Sequence, residues 1–268
     1  LASKGPSQTS PRGGAESPSQ TRVAAALGES IGAGLGQGAL PLLGMFAALL
    51  TACSWTASTL AQPVLITGTT ALNPGETTIT PTAGGDPVPL DTADITVQGG
   101  TLIINGRHTI RNLVVQNNGL VTHDFGFSFD YSGIGTDVVS GMHLTVAANP
   151  TGGNVSILAG SRIDASLRGF DLLEGPGASN GRNGGSHGGF GGGGTVAGII
   201  GQSYGSVTEP VDFGSGGANS RGGGTIRLVV GGALTVTGTI RSDGQSNGDG
   251  GAGGSIWINT GSLTGLGT

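Results

Sequence analysis

The chain is poor in charge, in aromatic rings and in cysteine, and each shortage excludes something. Charged residues supply 10% of its 268 positions and aromatics 4%. The first figure is too low for a tail held disordered by its own charge, and the second too low for a core built on large rings. Eleven Lys and Arg stand against 16 Asp and Glu, a net charge of −5 with no cationic cluster. Nucleic-acid affinity depends on clustered cations, so this balance argues against a nucleic-acid partner. The single cysteine, Cys53, rules out an intrachain disulfide framework and a multi-cysteine zinc site.

The longest apolar run, "LPLLGMFAALLTAC" (40–53), is too short to cross a bilayer as a helix but suits the apolar region of an export signal, expected over 40–61. Its flank "SWTASTLAQP" offers a small-residue cleavage site ending at Ala61, while "LTAC" (50–53) resembles a lipoprotein signal in which Cys53 becomes the lipidated first residue. These readings exclude each other; in the plainest, Cys53 is a small apolar residue within the signal. Both place the protein outside the cytoplasm, secreted or on the cell surface or outer membrane, with no transmembrane span beyond the signal. Residues 1–39 are rich in Ser, Pro, Gly and Gln without a period, a composition that buries too little to offset the entropy of ordering. A disordered or mis-set N-terminal extension is expected there, and a linker or N-terminal cap over 62–92.

What the chain has in abundance is glycine, 57 residues, about three times the average usage of roughly 7%. It also repeats itself. "IRLVVGGALTVTGTI" (226–240) aligns with "IWINTGSLTGLGT" (256–268), matching Ile226 to Ile256, Leu228 to Ile258 and Leu234 to Leu263. A looser copy lies at 144–166, where Leu144, Val146, Val155, Ile157 and Ile163 take the same places, and 93–124 follows the same grammar of short β-branched runs separated by Gly or Asn. Side chains alternate along a strand, so Leu234, Val236 and Ile240 are expected inside and Thr235, Thr237 and Thr239 outside. Each strand is too short to bury much alone, and copies must stack to form a continuous apolar column. Gly and Asn suit corners that need positive φ. The expected fold is all-β, a right-handed parallel β-helix or solenoid with coils at 93–174 and 225–268, the last coil cut short. A β-sandwich is the alternative, since short alternating strands also read that way.

Between the copies lies a glycine-rich stretch, 175–224, readable as a mobile linker or as a compact excursion anchored by Phe190, Ile199, Ile200, Tyr204 and Phe213. "GGSHGGFGG" (184–192), "YGS" (204–206), "GSGG" (214–217), "GGGTIRLVVGGALTVTGTIRSDG" (222–244) and "GGAGGSIWINTGSLTG" (250–265) resemble glycine-rich repeats of very large secreted, adhesin-like bacterial proteins. The resemblance covers about 90–268. It implies a parallel β-helix on a cell surface, and it carries no catalytic motif to transfer.

Candidate chemistry is sparse. His108, His123, His143 and His187 form no HxxxH or HExxH pattern. "THDFGFSFDYSGIGTD" (122–137) gathers His123, Asp124, Asp130, Tyr131 and Asp137, but its carboxylates stand six and seven residues apart, unlike a calcium loop. Asp249 in "SNGDGGAGGS" (246–255) is a single aspartate, without the repeat of a calcium β-roll. Chance GxGxxG spacings precede no helix of a βαβ unit. No metal or cofactor is therefore assigned. The first expectation of function is a non-catalytic structural or adhesive module whose outward Thr235, Thr237 and Thr239 are the candidate ligand-facing residues, contacting polysaccharide or extracellular matrix. A polysaccharide lyase or glycoside hydrolase on the same scaffold is the alternative. It needs paired carboxylates, with Asp124 and Asp130 beside Arg168, or Asp164 and Asp243, as candidates.

Overall fold

Short strands with branched aliphatic residues at every second position cannot bury a face alone, and in the computed structural model they do so by stacking. The structure describes residues 60–130, 138–147, 153–194 and 198–268; Cys53, Tyr131 and Asp137 lie outside them. The described strands are β1 (Gln62–Ile66), β2 (Thr69–Leu72), β3 (Thr78–Ile79), β4 (Val88–Pro89), β5 (Ala93–Gln98), β6 (Thr101–Ile104), β7 (Gly106–Ile110), β8 (Asn112–Gln116), β9 (Leu120–Thr122), β10 (Ser128–Asp130), β11 (Val138–Ser140), β12 (Met142–Val146), β13 (Val155–Ile157), β14 (Arg162–Asp164), β15 (Thr225–Val236), β16 (Thr239–Arg241) and β17 (Ser255–Thr264). A 3-10 turn, Leu90–Thr92, precedes β5.

Successive passes of the chain pair in parallel along three ladders. The first joins β7, β12, the N-terminal half of β15 and β17. The second joins β1, β5, β8, β13 and the C-terminal half of β15, and the third β2, β6, β9, β14 and β16. Because β15 belongs to both the first and second ladders, they form one eight-stranded sheet, which curls. Antiparallel pairing, expected of a β-sandwich, is confined among the described residues to β3 with β4 and β10 with β11.

The register follows the repeat alignment. Leu228 pairs with Leu144 on one side and Ile258 on the other, Leu234 with Val155 and Leu263, and Ile163 with Ile240. Ile110, Leu113, Val121, Leu144, Val155, Ile163 and Leu228 have no exposed surface and fill a single apolar column. At the corner between the first two ladders the polar side chains also stack. The Asn112 amide donates to Asp94 at 2.8 Å, and Asn154 accepts from the Ala233 N–H while its own N–H donates to Asn112. Corners use both expected devices. Asn117 and Asn118 stand at φ 53° and 64°, whereas Gly238 has no positive φ and is required because a Cβ would strike the Leu158 and Ser161 carbonyls.

The glycine-rich stretch is ordered over its described residues, and its order comes mainly from backbone. Phe213 is buried at 3% exposure and Tyr204 half-buried, but Phe190, Ile199 and Ile200 lie on the surface at 68%, 67% and 39%. In place of an aliphatic core, peptide groups of distant segments bond directly: Gly169 to Gly222, Gly214 to Gly223, Gly185 to Gly250 and Gly223 to Ala252, at 2.8 to 2.9 Å. Buried serines complete the set. Ser215 accepts from the Gly177 N–H and Ser179 from the Gly201 N–H, both at 2.9 Å.

Side-chain volume is thus needed at one kind of position and forbidden at another. Leu228→Ala should destabilise the protein by about 2–5 kcal/mol in denaturant unfolding. Gly222→Ala, whose Cβ would sit on the Gly214 carbonyl, should cost a comparable amount, and Gly189→Ala, with open space around it, should be near neutral. Equal effects at Gly222 and Gly189 would show that the glycine packing is not what orders the stretch.

Candidate functional site

Two clusters in the glycine-rich region have built geometry. The inner one attaches that region to the ladders. His123, fully buried after β9, donates from Nδ1 to the Asp124 carbonyl at 2.7 Å, which leaves Nε2 as the acceptor for the Thr225 N–H at 3.1 Å. Its ring stacks on Phe213 with centroids 5.7 Å apart, and Phe170 meets Phe213 edge-on. Gly224 must lack a side chain because a Cβ would collide with His123 Nε2. Burial pushes the His123 imidazole down to about 4, with the positive charge of Arg168 adding to it and the Asp124 carbonyl opposing. His123 is therefore a neutral clamp, fixed in one tautomer by two backbone groups, and its role is structural.

The outer cluster is a groove of about 750 Å³ lined by His187, Tyr204, Phe190, Ser206, Ile256 and the backbone of Gly253 and Gly254. His187 donates from Nδ1 to the Gly253 carbonyl at 3.0 Å, which turns Nε2 toward Ser255 Oγ at 3.5 Å. The Ser255 hydroxyl gives its proton to the Asp212 carbonyl at 2.6 Å. Ser255 is only 2% exposed, so the pair lacks the short contact and access of an activated nucleophile. Tyr204 packs against His187, centroids 5.0 Å apart, and turns its hydroxyl inward to donate to the Phe213 carbonyl and accept from Ser215. Burial, with Asp212 nearby, raises the Tyr204 phenol to about 12 against the opposing Ser215 hydrogen bond. Among the described residues no Asp, Glu, Lys or Arg lines the groove.

The candidates named from sequence are dispersed. Thr235 lies on β15 and Thr239 on β16, in different sheets, with Thr237 at the corner between them. Thr235 and Thr239 pair through their hydroxyls with Thr264 and Thr268 at 3.1 and 3.4 Å, and Thr237 donates to the Ile157 carbonyl. They form cross-strand pairs on two faces, not one row. Asp164 is tied to Arg241 at 2.7 Å and to the Ser166 N–H. Burial opposes ionisation of its carboxyl, but these partners outweigh it and hold the group below the usual carboxylate range. Asp124 accepts from the Asn105 amide at 2.7 Å. For Asp130 only the backbone is described. Asp249 serves Asn219, accepting from its N–H at 2.9 Å.

The fold brings together carboxylates the sequence reading did not single out. Glu76 and Asp91 line one cavity of about 450 Å³ with Arg107 and His108. Among the described residues no three His, Cys, Asp or Glu converge as a metal site, and no helix is long and apolar enough to cross a membrane. No family model, curated protein or solved structure matches the chain.

A buried neutral imidazole makes stability depend on pH. His123 has a folded value near 4 against the ordinary 6.5, so between these limits the unfolded chain binds a proton that the folded chain does not. Stability should be full above pH 6.5 and fall by roughly 3 kcal/mol as pH drops to 4. His143, also held near 4 by burial and by Arg227 and Arg107, adds a similar share. Urea midpoints between these pH values should therefore fall about half as far in His123→Gln as in the wild type; an unchanged slope would refute the assignment.

Proposed function

We propose that this chain is an exported structural or adhesive module of a cell surface or extracellular matrix, folded as a right-handed parallel β-solenoid, which contacts neutral carbohydrate and performs no chemistry. Support for the solenoid comes from the three parallel ladders in common register and from the general right-handedness of parallel crossovers. Support for export comes from the apolar run at 40–53 with its two processing options at Ala61 and Cys53.

The observation that carries the ligand class is the groove at His187. It combines an exposed aromatic ring, Phe190, with the side of Tyr204, serine hydroxyls and glycine backbone, and among the described residues no Asp, Glu, Lys or Arg lines it. Rings pack on the C–H faces of sugars while hydroxyls and peptide groups match their hydrogen-bonding rims; a charged polymer would find no counter-ion. One groove gives weak affinity, and repetition along a rigid rod or over a surface raises avidity without new contacts.

A second reading, a polysaccharide lyase or hydrolase, draws on the cavity shared by Glu76 and Asp91. Both are addressed by incubating the protein with immobilised neutral and uronate polysaccharides while following retention and release of reducing or unsaturated ends. Retention without product is expected, weakened roughly three- to tenfold in Phe190→Ala, which removes one exposed ring contact. Product that disappears in Glu76→Gln would replace the adhesive reading with the enzymatic one, and retention indifferent to Phe190 would remove the groove from it.

A further inference from the structure

Asparagine followed by glycine is a step at which a peptide chain can modify itself, because a residue without a Cβ lets its nitrogen reach the preceding side chain. The sequence has five such steps, at Asn105, Asn118, Asn180, Asn183 and Asn247. The fold holds the reacting groups of all but the last. Asn105 is 1% exposed and its amide donates to Asp124 at 2.7 Å, while the Gly106 N–H donates to the Gly141 carbonyl. Asn183 is 3% exposed, its Oδ1 accepts from the Gly194 N–H at 2.7 Å, and the Gly184 N–H donates to the Gly192 carbonyl. After Asn118 the Gly119 N–H donates to the Gln116 carbonyl at 2.9 Å. Asn180 is fixed to Ile199 twice, its Oδ1 accepting from the Ile199 N–H at 2.7 Å and its own N–H donating to the Ile199 carbonyl.

Asn247 and Gly248 are both exposed. Gly248 stands at φ 84° with open space around it, and among the described residues its N–H has no hydrogen-bond partner. Asn247 is tethered by its amide, which donates to the Asn219 carbonyl at 3.2 Å. That tether is half of a clamp. Asp249, 4% exposed, accepts from the Asn219 N–H at 2.9 Å, so that an amide and a carboxylate hold the carbonyl and the N–H of one residue. Beside it the Gln245 N–H donates to the Arg221 carbonyl, and the Arg221 N–H donates to the Gln245 side chain. Residues 245–249 thereby fasten residues 219–221.

We propose that Asn247–Gly248 is a self-modifying site, at which the chain turns an amide donor into a carboxylate and unfastens this clamp. The Gly248 nitrogen, giving its proton to hydroxide, attacks Asn247 Cγ; the bond from Cγ to Nδ2 breaks, ammonia leaves, and a cyclic imide remains. Water then opens the ring. Cleavage at Cγ gives aspartate, and cleavage at the backbone carbonyl gives isoaspartate, with the main chain rerouted through the former side chain. The balance is one water taken up and one ammonia released, with no oxidant, cofactor or second protein. Either product loses the donor to the Asn219 carbonyl and sets a second carboxylate near the buried one of Asp249, where like charges repel.

The inference goes beyond the adhesive reading and stands apart from it, because Asn247 does not line the His187 groove. The full chain, stored at neutral and at mildly alkaline pH and mapped by peptide mass spectrometry, should gain aspartate and isoaspartate at 247 ahead of the other Asn-Gly steps, and faster at the higher pH. Held unfolded in guanidinium, the same chain should lose that preference, since the fold protects the other steps only while it stands. Asn247→Gln, which keeps an amide, should lose the conversion at 247, and Asn247→Asp should lower the urea midpoint of freshly made protein. Earlier conversion at another of the steps in the folded chain, or the same order of conversion folded and unfolded, would overturn the site; an Asn247→Asp midpoint equal to that of the wild type would overturn its effect on the clamp.

Discussion

Parallel backbone hydrogen bonding between successive passes of one chain is the interaction on which the rest of this protein depends. No strand of the three ladders has a local partner to close a hairpin, so each pass acquires its hydrogen bonds and its apolar neighbours together, when the next pass lies down on it. That coupling explains why aliphatic residues recur at fixed register positions, from Leu113 through Val155 to Leu234, while the segments between passes vary so much in length. A connection of any size is tolerated if it returns the chain to register, and the longest, between β14 and β15, carries the glycine-rich region.

In that region the same hydrogen bonding continues with the side chains removed. Peptide groups of Gly169, Gly214, Gly222 and Gly223 approach too closely for a Cβ, and the N–H groups of Gly177 and Gly201 are met by serine hydroxyls. Density here comes from backbone packing, which hardly uses the hydrophobic effect and therefore needs precise satisfaction of polar groups. The join to the ladders is the most demanding point, and a neutral His123 held between a carbonyl and an N–H occupies it. A cation there would lose the Thr225 bond, and burial, which lowers the basicity of the imidazole, preserves the clamp.

The groove follows from this construction. Backbone-packed walls leave few side chains at the surface, and those that line the groove, His187, Phe190, Tyr204 and Ser206, include no Asp, Glu, Lys or Arg. A site so built suits binding by shape and by many weak polar contacts. The carboxylates that share a cavity, Glu76 and Asp91, line a different one, with Arg107 and His108.

The amino-acid sequence by itself determined the strand pattern and the pairing of its copies. Ile226 with Ile256 and Leu234 with Leu263 could be aligned by eye, because a parallel ladder places like residues on like and so leaves its register visible as repetition. Tertiary structure alone decided the rest. A corner at Thr237 and Gly238 splits a threonine row that looked continuous, since the direction of a face depends on where the chain bends. Phe190 and Ile199, anchors in the compact reading of the glycine-rich stretch, are exposed, because glycine peptides supply the order that reading gave to side chains. The groove joins residues 187, 204 and 255, and the clamp joins 123 to 225. Contacts across such separations exist only once every intervening pass is stacked, and no local pattern records them.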